Sequence, residues 1–376
     1  YQPRNTAVNN EQLPNEPRGL ARQNQGLLRR MFLPYWSGDP ADQESSRGKR
    51  AIGQIIVILL PAFLLVQLVL MLYWGKEPNL FDVEEIARIR AGTQQENTPL
   101  VTGYVATSTL MELGTTLLEK PGGYLSNDVL PPGLLMDNIP NWEFGVLIQI
   151  RDFSRSLRND LSRSQTQSIE DPNLSEAEPN FNFDNGSWIF TEGKYKKAIG
   201  ELGKYLNRLA DDNAADGQFF ARADNLREWL KVVEKRLGSL SQRLSASTDR
   251  FRLNTDLSGE PQAAQSTPGP REMAVKTSWL EIDDIFYETR GTCWALIHLL
   301  RAVEADFGAV LEKKNALVSL RQITRELEAT QGTVWSPMIL NGGEFGWFAN
   351  HSLVMSSYVS RANAAVIDLR SLLSRG

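Results

Sequence analysis

The sequence predicts an all-α protein, with a single transmembrane helix followed by an extracytoplasmic antiparallel helical bundle that contains long helical hairpins. Three observations predict this class. One long run of the chain is apolar and uncharged, apolar residues recur at heptad spacing through the second half, and Gly- and Pro-rich stretches separate the helical segments.

The predicted transmembrane helix runs from Ala51 to Trp74, where 24 consecutive residues carry no charge. A helix of that length is about 36 Å long and the hydrocarbon core of a bilayer is about 30 Å thick. A buried helix of a soluble protein is rarely apolar on every face. A cleaved signal peptide is the rival interpretation, but its apolar run is shorter and lies closer to the N-terminus.

The charges beside this run predict its orientation. The run follows "RGKR", and it precedes the acidic segment "GKEPNLFDVEE". Because positive residues stay in the cytoplasm, residues 1–50 are expected to form a cytoplasmic arm. Residues 75–97 are then an extracytoplasmic connector, and residues 98–376 form the helical domain.

Net charge restricts the partners of that domain. The whole chain has a net charge of −5 and the arm has +3, so residues 75–376 have −8. An acidic extracytoplasmic domain argues against binding to nucleic acid and against docking on anionic lipid.

Two helical hairpins are predicted from apolar residues that alternate four and three positions apart. The first spans about 194–251, with one seam from Tyr195 to Leu209, the polar turn "DDNAADG", and a second seam from Phe219 to Phe251. The other spans about 279–373, with a long helix from Ile282 to about Thr330 that bends near Gly308.

Polar segments are expected to connect these helices. A long exposed linker is predicted from Arg252 to Glu272, and a loop or disordered stretch from Ser162 to Asn180.

Two Gly- and aromatic-rich stretches lie between helical segments. The first, "EKPGGYLSNDVLPPGLLMDNIPNWEFG" (Glu119 to Gly145), is predicted to be a crossover packed between a helix ending near Lys120 and one beginning near Asn141. The second runs from Trp335 to Ser352. Loops on a rigid scaffold often bind partners, but the sequence does not decide whether these two reach the same end of the bundle.

Candidate chemistry is sparse. His298 lies near an apolar helix face and is interpreted as a structural histidine, and Cys293 as a buried apolar residue. Asp128, Asp137 and Glu143 lie in or beside the crossover, and paired carboxylates can hydrolyse glycosides. Loops also use carboxylates as turn formers and helix caps, so alanine at these three positions is expected to leave the fold intact. We predict no catalytic, cofactor-binding or metal-binding residue.

Three segments carry a family resemblance: "GGYLSNDVLPPG", "DNIPNWEFGVLIQIRDFSR" and "FDNGSWIF". They resemble a family of Gram-negative inner-membrane proteins catalogued as domain of unknown function 2333. The resemblance implies a proteobacterial origin and an inner-membrane location. It implies no activity and no catalytic residue.

The arm is expected to be disordered alone, because it is polar and aperiodic. Two interactions could order the arm. Residues Gly26 to Trp36 could lie in the membrane interface, and Tyr1 to Ala21 could run along a cytoplasmic partner. Gln67, within the span, is expected to bond either a local carbonyl or a neighbouring membrane helix.

These observations favour a non-catalytic accessory, scaffold or assembly subunit of a larger inner-membrane complex. The alternative is an envelope enzyme or binding protein acting on peptidoglycan or lipid. The expected partners are the lipid bilayer and other membrane-protein subunits, and not nucleic acid. The candidate contact residues are Leu27, Leu28, Arg29, Arg30, Phe32, Gln67, Tyr124, Trp142, Phe345 and Trp347.

Overall fold

A computed structural model describes the backbone of residues 40–93, 99–164, 169–211, 217–247, 250–253, 272–275, 277–336, 338–343 and 347–375. Within these ranges, side chains are described except in residues 40–53, 250–253 and 272–275. Contacts divide the chain into two units, Tyr1–Leu64 and Leu65–Gly376.

The first helix in the described part of the chain, α1, runs from Pro40 to Trp74 and contains Pro61. Its segment Gln54–Trp74 is the one helix in the described part of the chain that is long and apolar enough to cross a membrane. The large apolar side chains of this segment are mostly exposed, including Ile58 and Leu72. Helix α1 begins before the apolar run predicted from the sequence, because the polar residues ahead of Ala51 are also helical.

The second unit is built almost entirely of helices, which confirms the predicted all-α class. Its α-helices are α2 (Val83–Arg90), α3 (Tyr104–Glu119), α4 (Asn138–Ser156), α5 (Pro172–Phe181), α6 (Thr191–Ala210), α7 (Ala223–Ala246), α8 (Ile282–Asp306), α9 (Gly308–Lys313), α10 (Leu317–Ala329) and α11 (His351–Ser374). A 3₁₀ turn covers Gly133–Leu135, a π-helical turn Leu157–Leu161 and another 3₁₀ turn Trp279–Glu281.

Helix α8 is the centre of the domain. It is buried on nearly every side, and its buried residues include the polar Glu288, Arg290 and His298. Helices α2, α3, α4, α7 and α10 pack against it. The closest approach is to α4, where a Cβ atom on Gly291 would lie 1.9 Å from the carbonyl oxygen of Trp142.

The first predicted hairpin is wrong in its pairing. The predicted seams are largely buried, but α6 packs on α3 and α5, whereas α7 packs mainly on α11. The seam also ends earlier than predicted: α7 covers Ala223–Ala246, so Phe219 precedes it and Phe251 lies in a strand. A buried face shows that a helix packs against something, but it does not identify the neighbouring helix.

The predicted long helix from Ile282 to Thr330 is also wrong, because the chain reverses within it. Helix α9 ends at a left-handed Asn315 (φ 51°), and the N–H of Ala316 donates to the carbonyl of Leu311. This is the Schellman pattern that ends helices. Helix α10 then runs back along α8, with an ion pair between Arg301 and Glu328.

Two segments predicted to be irregular contain regular structure. Helix α5 lies within the stretch predicted as a loop. Asp171 caps its first turn, Pro172 is its first residue, and Leu174 and Phe181 bury its inner face. The predicted linker begins and ends in a two-stranded antiparallel ribbon of β1 (Arg250–Leu253) and β2 (Glu272–Val275).

Candidate functional site

Six of the candidate contact residues lie outside the described residues: Leu27, Leu28, Arg29, Arg30, Phe32 and Phe345. Gln67 is half-buried, and its Oε1 atom has no hydrogen-bond partner among the described residues. This observation does not distinguish a bond to a local carbonyl from a bond to a neighbouring membrane helix. Trp347, in contrast, is fully exposed.

Tyr124 and Trp142 are buried, so the prediction that they contact a partner is wrong. The Tyr124 ring packs edge-on against Tyr195 at 5.6 Å, and the Trp142 ring lies 5.1 Å from Trp294. Aromatic residues beside glycine and proline look the same in a sequence whether they point inward or outward. Here Tyr124 packs against α6, and Trp142 packs between α4 and α8.

Glu143 is a structural residue of α4 whose side chain is held by the start of the crossover. Its carboxylate is fully buried, 2.5 Å from the buried ammonium group of Lys120. It also accepts hydrogen bonds from the backbone N–H groups of Leu125 and Ser126 and from the Ser126 hydroxyl. Burial raises the pKa of Glu143, whereas Lys120 and these donors lower it. This carboxylate is held by four partners and does not face solvent, so it is a poor candidate for acid–base catalysis.

Asp137 and Asp128 also have local roles. Asp137 precedes α4, and its carboxylate accepts a hydrogen bond from the N–H of Asn138. The helix cap is therefore Asp137, whereas the sequence predicted Asn141. Asp128 lies against Gly133, where a Cβ atom would approach its carboxylate to 2.1 Å. Burial and the charge of Glu192 raise the pKa of Asp128, and the charge of Lys120 lowers it.

His298 is a buried structural histidine, as predicted. Its Nδ1 atom lies 2.7 Å from the carbonyl oxygen of Trp294, and its Nε2 atom accepts the N–H of Phe81 at 3.0 Å. Since Nδ1–H must donate to that carbonyl, the ring is neutral, and burial lowers its pKa to about 3. Cys293 is buried too, and burial raises the pKa of its thiol to about 12.

The connector after α1 is fastened to α8 at two points. Glu77 and Arg290 form an ion pair at 2.6 Å, and Arg290 also donates to the carbonyls of Thr330 and Gly332. Eight residues further along α8, His298 accepts the Phe81 N–H, and the two rings stack at 3.9 Å. The connector therefore runs along α8 from its N-terminal half toward its C-terminal end.

Several loops meet at the end of the domain where α1 leaves it, and we call this end the base. A Cβ atom on Gly122 would lie 2.8 Å from the Trp74 ring, and one on Gly75 would lie 3.8 Å from Met136. Asn127 donates to the carbonyl of Ser187. The base comprises the crossover (120–137) and residues 184–190, 277–281, 331–336, 338–343 and 347–350.

The second Gly- and aromatic-rich stretch belongs to this base as well. His351, which begins α11, lies 6.3 Å from Phe286 in the first turns of α8. Its N–H donates to the carbonyl of Leu340, and Asn341 pairs with Asn350. The two Gly- and aromatic-rich stretches therefore reach the same end of the domain, a point that the sequence left open.

Large apolar side chains are exposed across the base. Trp335 is 91% exposed and Trp347 102%. The other exposed apolar residues of the base are Val129, Leu130, Leu134, Leu135, Trp188, Ile189, Phe190, Trp279, Leu280, Met338 and Phe348. An exposed apolar surface of this extent marks an interaction site in soluble and membrane proteins.

The polar part of the base is acidic. Its carboxylates are Asp128, Asp137, Asp184 and Glu281, and Asp283 and Asp284 follow directly in the first turn of α8. Burial, Asp283, Asp137 and other nearby carboxylates raise the pKa of Asp284 to about 6. Asn141 donates to Asp284 at 2.6 Å and so links the starts of α4 and α8.

A cavity of about 560 Å³ opens beside the connector. It is lined by connector residues 75–80, by Tyr287, Arg290 and Trp294 of α8, and by residues that follow α10. The indole N–H of Trp294 has no hydrogen-bond partner among the described residues. In the same described part of the chain, no group of His, Cys, Asp and Glu side chains could hold a metal ion.

Sequence reasoning missed most of the exposed apolar residues of the base. Trp188 to Phe190 belong to the segment "FDNGSWIF", whose Asp-Asn-Gly indicates a turn but does not indicate which side chains remain exposed. Trp279 and Leu280 precede a heptad seam and are easily assigned to it. These residues could have been identified as exposed because they lie beside turns and do not follow the heptad spacing of a buried helix face.

The chain was compared with known proteins by sequence and by structure. No curated protein and no solved structure matches it. Residues 46–376 match the family described as "Uncharacterized protein conserved in bacteria (DUF2333)", and because this match covers most of the chain, the protein belongs to that family.

Proposed function

We propose that this protein is a non-catalytic accessory, scaffold or assembly subunit of a larger complex in the bacterial inner membrane. Helix α1 anchors it, residues 1–50 lie in the cytoplasm, and the helical domain lies in the periplasm. The positively charged segment "RGKR" before the span supports this orientation, and the bacterial family supports the inner membrane as its location.

The observation that carries the proposal is the attachment of the connector to the core. Glu77 and Phe81 follow the apolar helix by only a few residues, and both contact α8, the central helix, through Arg290 and His298. A flexible tether would need neither contact. A domain fixed in this way is held close to the point where the apolar helix ends, which suits a subunit that positions other proteins.

Deletion of residues Tyr1 to Ala21 tests the proposal. The truncated protein should still insert in the membrane and keep its helical circular dichroism, but it should separate from its complex on a native gel in mild detergent. A variant in which a Gly/Ser sequence of equal length replaces these residues should behave in the same way. If either variant still co-migrates with every subunit of the complex, the arm is not the tether.

The cavity favours a second candidate function, a binding protein that acts on lipid. It lies directly after the apolar helix, and its lining combines Arg290 with the aromatic rings of Tyr287 and Trp294. Native mass spectrometry of the detergent-purified protein tests this candidate. A phospholipid that stays bound to wild type and is lost when Tyr287→Ala opens the cavity would support it, and a lipid-free spectrum would contradict it.

A further inference from the structure

We propose that the base of the helical domain lies on the surface of the bilayer that holds α1, with its exposed aromatic and aliphatic side chains in the lipid interface. This inference rests on the proposed function in one respect, since it requires that Gln54–Trp74 cross the membrane. It adds a second, peripheral membrane contact to the protein. The occupant of the base is zwitterionic lipid.

The base lies beside the end of the apolar helix, at the depth where the lipid headgroups are expected. The apolar helix ends at Trp74, so the lipid headgroups adjoin this residue when the helix crosses the membrane. Trp74 lies against Gly122, and Gly75 is close to Met136, which directly follows the exposed Leu134 and Leu135. The crossover therefore lies within a few ångströms of the bilayer surface.

The other base loops are joined to this level by contacts within the domain. Asn127 of the crossover donates to the carbonyl of Ser187, just before Trp188. Arg290 pairs with Glu77 of the connector and donates to the carbonyl of Gly332, three residues before Trp335. The loops that carry Trp188 and Trp335 are thus joined to the crossover and to the connector that follows α1.

The side chains suit the interface between lipid and water. Tryptophan is enriched there because its ring is amphipathic, and Leu, Ile and Phe prefer the acyl boundary beneath. Removing such side chains from water is favourable roughly in proportion to the apolar area that leaves water. A base that presents Trp335, Trp347, Trp188 and their neighbours together would be costly to leave in water.

Charge decides the class of lipid. The exposed polar residues of the base include Asp137, Asp184 and Glu281, and residues 75–376 carry a net charge of −8. Anionic headgroups would repel this surface, particularly at low salt. The contact is therefore made by insertion of apolar side chains between zwitterionic headgroups and not by electrostatic attraction.

Spin labels on the full-length protein in nanodiscs test this inference. Labels are attached to Trp335→Cys and Trp347→Cys, and Cys293 does not react because it is buried. The matched control is Val318→Cys, an apolar residue that is 79% exposed at the start of α10. Helix α10 begins at the opposite end of the domain, where Arg321 pairs with Glu304 near the end of α8. Leu64→Cys reports on the span itself.

In phosphatidylcholine nanodiscs, the labels at 335 and 347 should collide with oxygen, which concentrates in lipid, and be shielded from a water-soluble nickel chelate. The ratio of the two collision rates should be several-fold higher than at position 318. Adding phosphatidylglycerol at low salt should lower that ratio. Circular dichroism confirms that each variant is folded.

Two results would overturn the inference. Equal access of the nickel chelate to positions 335, 347 and 318 would show that the base faces water. Shielding of 335 and 347 from both reagents would show that protein covers the base. The label at Leu64 separates these failures from that of the proposed function. If Leu64 is in lipid, only the present inference fails, whereas a water-exposed Leu64 would remove the anchor on which both proposals depend.

Discussion

At the scale of single residues, buried polar groups hold the irregular parts of this protein in place. The crossover has little regular structure, yet the Lys120–Glu143 pair and the donors around it join its two ends. His298 and Arg290 do the same for the connector. Such groups are costly to bury, so each needs its full set of partners, and losing one partner leaves the other without compensation.

Glu143→Gln should therefore destabilise the domain. The change leaves the ammonium group of Lys120 buried without a counter-charge, which costs about 3–5 kcal/mol. Thermal unfolding in mild detergent measures the loss. The control is Glu119→Gln, an exposed neighbour whose substitution should change stability by less than about 0.5 kcal/mol. Equal melting temperatures for the two variants would contradict the role of the ion pair, and would support the expectation from sequence that Glu143 is dispensable for folding.

Asp306 makes stability depend on pH. Its carboxylate accepts hydrogen bonds from the N–H groups of Gly103 and Ala106 at the start of α3. Burial raises its pKa from 3.8 to about 7, although these donors lower it. The folded chain then holds this proton more tightly than the unfolded chain. Its contribution to stability is complete below about pH 4 and is lost as the pH rises toward 7, by at most about 1.4 kcal/mol per pH unit.

Urea unfolding of wild type and Asp306→Asn at several pH values tests whether the contribution of Asp306 to stability is lost as the pH rises. The difference between the two free energies of unfolding should change between pH 4 and 7 and be constant above about pH 8, because asparagine does not titrate. Asp368→Asn, an exposed change on α11, should run parallel to wild type throughout. A wild-type curve parallel to that of Asp306→Asn would show that this carboxyl group does not carry the dependence.

At the scale of elements, the sequence predicted buried faces better than neighbours. The seam of α7 from Leu226 to Leu244 is buried as predicted, but nothing in its spacing distinguishes α11 from α6 as its partner. Helix α5 escaped prediction because it is short and mostly polar. The reversal at Asn315 escaped it because the apolar period continues across the turn through Leu317 and Leu320.

The close approach of α4 and α8 leads to a further prediction about helix packing. A methyl group on Gly291 would lie 1.9 Å from the carbonyl oxygen of Trp142, so Gly291→Ala must push the two helices apart. We expect a loss of about 1–3 kcal/mol, the usual cost of overpacking. Gly200→Ala, in α6 with open space around it, should instead stabilise the domain by up to about 1 kcal/mol. Thermal unfolding measures both, and equal effects would mean that α4 and α8 are not so close in solution.

At the scale of the whole molecule, the candidate site was only partly predictable. The two Gly- and aromatic-rich stretches were identified from composition, and Trp347 is exposed, but Tyr124 and Trp142 are buried. Which loops share an end depends on how many times the chain reverses, and the reversal after α9 was not foreseen. The helix that is long and apolar enough to cross a membrane was predictable from composition, because a helix of a soluble protein rarely lacks charge over such a length.

The proposed orientation of the whole molecule rests on the charges beside α1, and it can be measured with cysteine variants of the same kind. "RGKR" precedes the apolar helix, so residues 1–50 should remain in the cytoplasm and Val318 should face the periplasm. A membrane-impermeant maleimide added to spheroplasts should label Val318→Cys at once, because this side chain is exposed. It should label Asn10→Cys, in the arm, only after lysis. Wild type, whose single cysteine is buried, gives the background. Labelling of Asn10→Cys in intact spheroplasts, with Val318→Cys protected until lysis, would reverse the topology and place the base against the cytoplasmic leaflet.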